Sequence, residues 1–312
     1  MKQNSIILFC LAAWLSFFPA SAVAQPSVYT GVYAYGEGGL TSSSDWQAIT
    51  NFVTSAQKDV SIINNFDEWT SNSSSNGTRA FPTTEMSNIR SHGSMPMFTW
   101  QPQNGTAGTL ALASIINGDY DTYVTTWATA AKNWNHPFFL RLAHEMNGSW
   151  YSWSVGTNGN TSAQYVQMWQ HVHDIFTHVG ATNVTWVWCV NTIYTGSTPI
   201  AGLYPGDNYV DWISLDGYNR LANSWQDFSS VAAATITQLT NIAPGKPIMV
   251  GETGCNQTNY PSETKAQWFL NALTNYLPVV QPRIMAWVYF NSTNTTDGNE
   301  WRITVPASAT AG

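Results

Sequence analysis

Short apolar, β-rich runs alternate with helix-length segments along most of the chain, and this alternation restricts the possible folds more than any other feature. The runs lie at residues 28–35, 59–66, 95–100, 137–145, 183–190, 210–218, 246–252 and 283–290. Helical candidates lie between them at 44–57, 83–92, 121–133, 162–179, 227–241 and 262–276, with Ser44, Thr83, Ser162 and Ser262 as predicted N-caps. Strands that alternate with helices predict a parallel sheet with crossover helices.

Eight strands separated by helices match the (β/α)8 TIM barrel. A doubly wound open sheet is the alternative, and it normally carries a phosphate-binding GxGxxG turn after its first strand. The glycines of YGEGGLT at 35–41 have the wrong spacing for that turn. We therefore predict an α/β fold, a single-domain (β/α)8 TIM barrel, over residues 25–312.

The N-terminal segment has the features of a secretory signal peptide. Lys2 precedes an apolar stretch at 6–18, and the small residues at 22–24 form a cleavage site before Gln25. We expect residues 1–24 to be removed and the mature protein to be secreted, either extracellular or periplasmic. No later segment approaches about 18 uninterrupted apolar residues, so we expect no membrane partner.

The composition bears on which partners the protein can have. A formal net charge of −7 argues against nucleic acids and anionic membranes, since both attract basic patches. Aromatic residues make up 14% of the chain and include 16 Trp, which a barrel core absorbs in part and which also suits the flat faces of sugar rings. Cys189 and Cys255 remain after processing; an exported pair could form a disulfide, but each lies near a strand end where a buried thiol is ordinary, and we expect them unpaired. We also expect a monomer.

Polar residues cluster where the predicted strands end, which is the end that carries the active site of a barrel enzyme. Two glutamates stand out because each closes an apolar strand: Glu145 the fourth, and Glu252 the seventh. Strands four and seven face each other across a barrel mouth, so the two carboxyl groups can converge on one bond. A pair of acids, one protonated and one ionised, is what glycoside hydrolysis requires.

Simpler explanations exist for each of these motifs. A single Glu at a strand end is more often a loop or salt-bridge residue. The stretch HEMNGSW begins like the HExxH zinc motif, but it lacks the second histidine, and no GxSxG turn of a serine hydrolase occurs. We therefore expect no metal and no cofactor.

Four stretches of the chain resemble glycoside hydrolase family 26, in a clan of retaining (β/α)8 glycosidases. They are RLAHEMNGSW (141–150), YPGDNYVDWISLDGYN (204–219), KPIMVGETG (246–254) and AWVYFN (286–291), and they occur in order from the fourth strand to the last. The first three strands fit the family more loosely. The resemblance implies that Glu145 is the acid/base and Glu252 the nucleophile, with their carboxyl groups about 5–5.5 Å apart.

The resemblance also implies roles for the residues around this pair. Arg141 would help to keep Glu252 ionised, and Tyr218 would donate a hydrogen bond to it. His144 would line the subsite of the cleaved sugar, and Trp150 would stack near the leaving group. Further substrate contacts are expected from Trp287, under the sugar that is attacked, and from Trp100; Asp216 either orients Tyr218 or simply finishes its strand.

The end of the third strand bears on the substrate. Mannanases of the family usually carry a His-Trp pair there, whereas this chain has Thr99-Trp100-Gln101-Pro102, which is closer to the TWEP of members that act on mixed-linkage β-glucan. The resemblance therefore implies an endo-β-glycanase acting on a polysaccharide, with mixed-linkage β-1,3-1,4-glucan slightly favoured over β-1,4-mannan. The alternative is an inactive carbohydrate-binding relative, which would keep the tryptophans but not both acids.

Overall fold

Eight parallel strands form a closed barrel, and they follow one another around it in chain order. The structure is a computed structural model that describes residues 28–34, 40, 42–70, 79–104, 110–220, 224–256, 264–294 and 298–303. The strands are β1 Tyr29–Tyr33, β2 Ile62–Thr70, β3 Met95–Asn104, β4 Phe138–Leu142, β5 Val184–Asn191, β6 Trp212–Asn219, β7 Ile248–Cys255 and β8 Ile284–Phe290. β1 pairs in parallel with both β2 and β8, which closes the barrel. The predicted TIM barrel is confirmed; the predicted signal peptide and the predicted cap Ser262 lie outside the described residues.

Helices follow most of the strands and cover the outside of the barrel. They are α1 Ser43–Ala56, α2 Thr83–His92, α3 Leu112–Ile116, α4 Asp121–Trp134, α5 Ser162–Val179, α6 Phe228–Ile242 and α7 Lys265–Leu270, which continues as a π-helical segment, Asn271–Val280. After β8, a short antiparallel hairpin is formed by β9 Thr293–Asn294 and β10 Asn299–Glu300. Among the described helices, none combines the length and the apolar character that a membrane crossing would need.

Three predicted N-caps lie inside their helices. Ser44 is the second residue of α1, while Thr83 and Ser162 are the first residues of α2 and α5; the N-caps are Ser42, Pro82 and Thr161. Ser42 and Thr161 have an extended backbone, which lets each side chain accept a hydrogen bond from the backbone N–H three residues later and form a capping box. In α1 and α5 the N-cap is the residue whose backbone is extended. The sequence offers several neighbouring hydroxyl residues and does not show which of them has that conformation.

Side chains alternate between the barrel interior and the helix layer along each strand. The interior cluster consists of Ile62, Met97, Val187, Met249, Ala286 and Val288. The intervening positions belong to the larger cluster between strands and helices, among them Phe98, Trp100, Leu140 and Trp287. This alternation determines which residues near the strand ends can face the mouth.

Strand β7 departs from this alternation just before its end. The register of its pairing shifts between Leu215 and Asp216 on β6, so that Val250 pairs with the former and Glu252 with the latter. Gly251 is the extra residue, and a Cβ there would lie 2.8 Å from the Asp216 carboxylate. A bulge of this kind re-aims the following side chain, and it turns Glu252 toward the mouth.

Candidate active site

The chain leaves β4 with an unusual backbone that sets the position of Glu145. Ala143 and Glu145 both have left-handed φ angles, of 44° and 54°, which L-residues other than glycine adopt rarely and at a cost of roughly 1–3 kcal/mol. Two hydrogen bonds hold this segment: Glu145 N donates to Cys189 O at 2.9 Å, and the Tyr165 hydroxyl donates to Ala143 O at 3.1 Å. Strain held in this way is typical of functional sites.

The Glu145 carboxyl group lies in a largely dehydrated position with one neutral donor. Trp150 Nε1 donates a hydrogen bond to its Oε2 at 2.7 Å. Burial, and then the negative charge of Glu252, raise the pKa of Glu145 to about 7, against the smaller opposing effects of Trp150 and Arg141. Glu145 can therefore hold a proton near neutral pH and release it within the same range, as a general acid/base must.

Glu252 is surrounded differently, because both of its carboxylate oxygens accept hydrogen bonds. The Arg141 guanidinium donates to Oε1 through Nη2, and the Tyr218 hydroxyl donates to Oε2. Charge-assisted and hydroxyl donors of this kind stabilise negative charge on a carboxylate. The predicted contacts of Arg141 and Tyr218 with Glu252 are present.

Arg141 is fully buried and lies between two carboxylates. Its Nη1 donates to Asp216 Oδ2 at 2.6 Å, and its Nε donates to Thr99 Oγ1 at 2.9 Å. Burial opposes its charge, but Asp216 and Glu252 outweigh that and raise the pKa of Arg141 above its ordinary value. Asp216 also accepts a hydrogen bond from Cys189 Sγ at 3.1 Å. Asp216 was expected either to orient Tyr218 or simply to finish its strand. It instead binds Arg141, the residue that holds Glu252.

His144 is buried beside the pair of glutamates. Its Nε2 lies 3.0 Å from the Tyr151 hydroxyl and 3.9 Å from Glu252 Oε1. Burial, and then the positive charge of Arg141, lower the pKa of His144 well below its ordinary value, so the imidazole is neutral at neutral pH. Tyr151, which stacks on Trp153 with ring centroids 4.3 Å apart, was not among the residues singled out from the sequence.

Three side chains of the site are close enough to share a metal ion. His144, Asp216 and Glu252 offer ligand atoms that lie within 4.8 Å of one another. The Arg141 guanidinium already donates to both of these carboxylates. A divalent cation would have to sit next to this cation and compete with it for the same oxygens, so the donor set fits an arginine better than a metal.

Trp150 forms part of an exposed aromatic surface beside Glu145. Its side chain is 49% exposed, and that of Tyr194, in the loop after β5, is 45% exposed. The two rings are stacked with centroids 6.1 Å apart and planes inclined by 25°. Flat exposed rings next to a carboxyl acid suit the apolar faces of sugars, and Tyr194 was not predicted from the sequence.

The structure does not bring Trp100 to the mouth of the barrel. Trp100 is 1% exposed and packs nearly parallel to Trp127 on α4, with ring centroids 4.4 Å apart. Its Nε1 lies 3.3 Å from the Tyr123 hydroxyl, also on α4. The prediction that Trp100 contacts the substrate is therefore wrong. Its side chain lies on the outer face of β3 and packs into the helix layer.

Trp287 is likewise placed in the helix layer. It is 2% exposed and packs against Phe228 of α6 and Trp268 of α7, with ring centroids 4.5 Å and 5.8 Å apart. Because Val288 faces the barrel interior, the alternation sends Trp287 outward and Phe290 inward. The prediction that Trp287 stacks under the sugar is therefore wrong, because its ring is buried between β8 and the helices.

Phe290 takes the place at the mouth that the sequence assigned to Trp287. Its ring stacks on Tyr33 of β1 with centroids 4.7 Å apart, and Tyr33 in turn meets Phe66 of β2 edge-on at 4.8 Å. Phe290 lies two residues beyond Val288, so the alternation along β8 places both side chains on the same face. The rings of Phe290, Tyr33 and Phe66 therefore form a continuous aromatic surface across β8, β1 and β2.

Comparison with known proteins agrees with this geometry. The model of the family described as "Glycosyl hydrolase family 26" matches residues 107–276, more than half of the chain. "Endoglucanase H" of Acetivibrio thermocellus is 33% identical over 272 residues, which cover 85% of this chain and 28% of that protein. "Mannan endo-1,4-beta-mannosidase A and B" of Caldalkalibacillus mannanilyticus is 31% identical over 160 residues, 50% of this chain and 27% of that protein. The chain thus spans little more than a quarter of the length of either relative.

Solved structures share the barrel. A Bacillus subtilis mannanase, BCman, superposes with a TM-score of 0.63 at 17% identity, covering 89% of this chain and 84% of that one. A double mutant of the Cellulomonas fimi endo-beta-1,4-mannanase gives a TM-score of 0.66 at 17% identity, covering 90% and 68%. At this level of identity the likeness concerns the fold.

Proposed function

Because the chain belongs to glycosyl hydrolase family 26, we propose that it is a retaining endo-β-glycanase that hydrolyses a plant-type polysaccharide by double displacement. The observation that carries the proposal is the pair of glutamates in unlike surroundings. Glu145 has a pKa raised to about 7 by burial and by the second carboxylate, while Glu252 accepts hydrogen bonds on both oxygens. A proton donor and a charged nucleophile at one mouth are the two groups that retaining hydrolysis needs.

In the first step, Glu252 attacks the anomeric carbon while Glu145 gives its proton to the leaving oxygen. The glycosidic C–O bond breaks as the bond between carbon and the Glu252 oxygen forms. In the second step, Glu145, now ionised, takes a proton from water, and the resulting hydroxide displaces Glu252. The sugar keeps its β configuration because the carbon is inverted twice.

The neighbouring side chains support these steps. Arg141 and Tyr218 hold the Glu252 carboxylate in place and balance its charge. His144 is buried and neutral beside the nucleophile, so it can exchange hydrogen bonds with a sugar hydroxyl without adding charge. Trp150 presents an exposed ring next to the acid, which suits a sugar on the leaving-group side.

The end of β3 supports mixed-linkage β-glucan slightly ahead of β-1,4-mannan. Thr99, where mannanases of the family usually carry histidine, is committed to the barrel interior: it donates to Asn64 Oδ1 at 2.9 Å and accepts from Arg141. Gln101 follows on the same face of the strand and is nearly buried. The names of the curated relatives, an endoglucanase and mannosidases, are compatible with either polysaccharide.

The substrate is tested by incubating the purified protein with barley-type β-glucan, lichenan, β-mannan, β-1,3-xylan and cellulose, with Glu252→Ala as the inactive control. We expect reducing ends to appear most rapidly from the mixed-linkage glucans. Rapid hydrolysis of mannan with no action on these glucans would reverse the ranking. No hydrolysis of any β-glycan, with binding retained, would favour the inactive carbohydrate-binding relative.

Stereochemistry is tested by proton NMR during the first minutes of the reaction. The β-anomer of the new reducing end should appear first and then mutarotate. If the α-anomer appears first, Glu252 activates water instead of attacking carbon, and the double displacement is wrong.

We further propose that the protein is exported with removal of residues 1–24 and acts as a monomer. N-terminal sequencing of the exported protein should begin at Gln25. Sedimentation of that protein should give the mass of one chain.

A further inference from the structure

Tyr218, the residue whose hydroxyl donates to Glu252, is enclosed by aromatic and cationic groups that come from outside its own strand. The indole of Trp301 lies against its ring with centroids 4.4 Å apart and planes inclined by 30°. Phe290 meets the same ring edge-on at 6.0 Å, and the Arg220 guanidinium carbon lies 5.1 Å from its centroid. The ring is thus held on several sides while the hydroxyl reaches the carboxylate.

Trp301 is held at this position by close contacts. It is 3% exposed, and it follows the β9–β10 hairpin that comes after the last barrel strand. Its Cγ would lie 2.7 Å from a Cβ at Gly254 on β7, so only a glycine there admits the indole. Its carbonyl accepts a hydrogen bond from the Tyr289 hydroxyl of β8.

Lys265, the first residue of α7, hydrogen-bonds to the backbone on both sides of Trp301. Its Nζ donates to the carbonyl of Glu300 and to that of Arg302, each at 2.7 Å. Asn256, just after β7, accepts a hydrogen bond from Glu300 N at 2.7 Å. Side chains from two elements therefore fix the short segment that carries Trp301.

A buried tryptophan is usually a core residue, and Trp268 on α7 is one: it packs against Phe228 and Trp287 in the helix layer. Trp301 differs because its neighbour is Tyr218, whose hydroxyl has to meet one oxygen of Glu252. Loss of Trp301 would open space on one face of that ring, and the ring could then turn away from the carboxylate.

We propose that Trp301 is a positioning residue for the Tyr218 hydroxyl, and that Lys265 holds Trp301 in place by clasping the backbone on either side of it. This inference rests on the proposed function, since it takes Glu252 to be the nucleophile. Trp301 acts through Tyr218 and does not contact the substrate. Its effect should therefore fall on kcat, with KM nearly unchanged.

The expected size follows from the loss of one hydrogen bond to a charged group. Trp301→Leu should lower kcat about 10-fold, because that bond becomes intermittent while Arg141 still binds Glu252. Trp301→Phe keeps an aromatic ring against Tyr218 and should retain most of the rate. Lys265→Met removes the two bonds to the flanking carbonyls and should give a smaller loss of the same kind.

A double-mutant cycle with Tyr218→Phe tests the proposal. Trp301→Leu should lower kcat about 10-fold with Tyr218 present but less than about 2-fold in the Tyr218→Phe background, where no hydroxyl remains to be positioned. The matched control is Trp268→Leu, which should lower the unfolding temperature and leave kcat alike in both backgrounds. Equal kcat losses from Trp301→Leu in the two backgrounds would overturn the proposal.

Lys265→Met provides the same test if Trp301→Leu does not fold, because it removes the bonds to the flanking carbonyls and leaves Trp301 itself in the chain. For Lys265→Met, a kcat loss that disappears in the Tyr218→Phe background supports the clasp, and unchanged kcat with Tyr218 present overturns it. The wild-type protein separates this test from the proposed function. No hydrolysis of any β-glycan by the wild type would refute the proposed function, whereas an active wild type with additive losses would refute the positioning role alone.

Discussion

Glu145 and Glu252 have the same side chain, but different groups surround their carboxyl oxygens. Glu145 is largely dehydrated and receives one neutral donor, Trp150, while Glu252 receives an arginine and a hydroxyl. The proposed division of labour between acid and nucleophile rests on these neighbours, and single substitutions at them should alter the two proposed roles separately.

The pH dependence should be governed by Glu145 on the alkaline side. Its pKa is raised to about 7, and the first step needs its protonated form, so kcat/KM should fall as the pH rises through about 7. The Trp150 hydrogen bond opposes this raised pKa. Trp150→Phe removes the donor and keeps a ring, and it should move the falling limb to higher pH. The measurement is kcat/KM against pH on soluble glucan. Tyr194→Phe is the control, and its kcat/KM should fall at the same pH as that of the wild type. If kcat/KM of Trp150→Phe also falls at the wild-type pH, the assignment of this fall to Glu145 is wrong.

Truncation of Glu145 and truncation of Glu252 should abolish different parts of the activity. Glu252→Ala should be nearly inactive on every substrate, because no nucleophile remains. Glu145→Ala should lose about 10²–10⁴-fold on polysaccharide, yet still form the glycosyl-enzyme from an aryl glycoside whose leaving group needs no proton. Added azide should then speed turnover of Glu145→Ala and yield a β-glycosyl azide, detected by NMR. A β-glycosyl azide from Glu252→Ala instead would reverse the two roles.

At the scale of strands, the alternation along β8 separates residues of the fold from residues of the site. Trp287 fills the space between β8 and helices α6 and α7. Trp287→Ala should lower the free energy of unfolding by about 3–5 kcal/mol, with kcat and KM of the folded protein nearly unchanged. Trp150→Ala should do the reverse, raising KM with little loss of stability because the ring is half exposed. Urea unfolding and steady-state kinetics measure both; a large fall in kcat for Trp287→Ala would show that it reaches the sugar after all.

The same strands show how far a sequence can be interpreted. Eight apolar runs predict the barrel correctly, because crossover helices leave few other folds. The direction of Trp100 and Trp287 could not be predicted, since strands of a parallel barrel are apolar on both faces and show no polar alternation. Its position at the end of an apolar strand, and then the family resemblance, pointed to Glu252, but the bulge at Gly251 that turns it inward involves Asp216 on another strand.

Residues of the site that are distant in sequence were also missed. Trp301 and Tyr194 lie outside the four stretches that resemble the family, and their importance depends on contacts with Tyr218 and Trp150. Such contacts depend on how loops return to the barrel mouth, which neither periodicity nor composition encodes.

At the scale of the whole molecule, the charge balance of the mouth predicts an enzyme without a metal requirement. Arg141 already neutralises Asp216 and Glu252, the two carboxylates that a cation at this place would have to bind. Activity should therefore be unchanged after dialysis against a chelator and after addition of zinc or magnesium. Loss of kcat in chelator that a divalent ion restores would contradict this, whereas a change in the unfolding temperature alone would indicate a cation bound away from the site.

The buried network around Arg141 has a further consequence for how the chain folds. The guanidinium comes from β4, but the carboxylates that neutralise it come from β6 and β7. A chain folded only through β4 would lack both carboxylates that neutralise Arg141, and burying an ion without its partner costs about 3–5 kcal/mol. We therefore expect the network that holds Glu252 to disfavour half-barrels and to favour cooperative folding of the two halves.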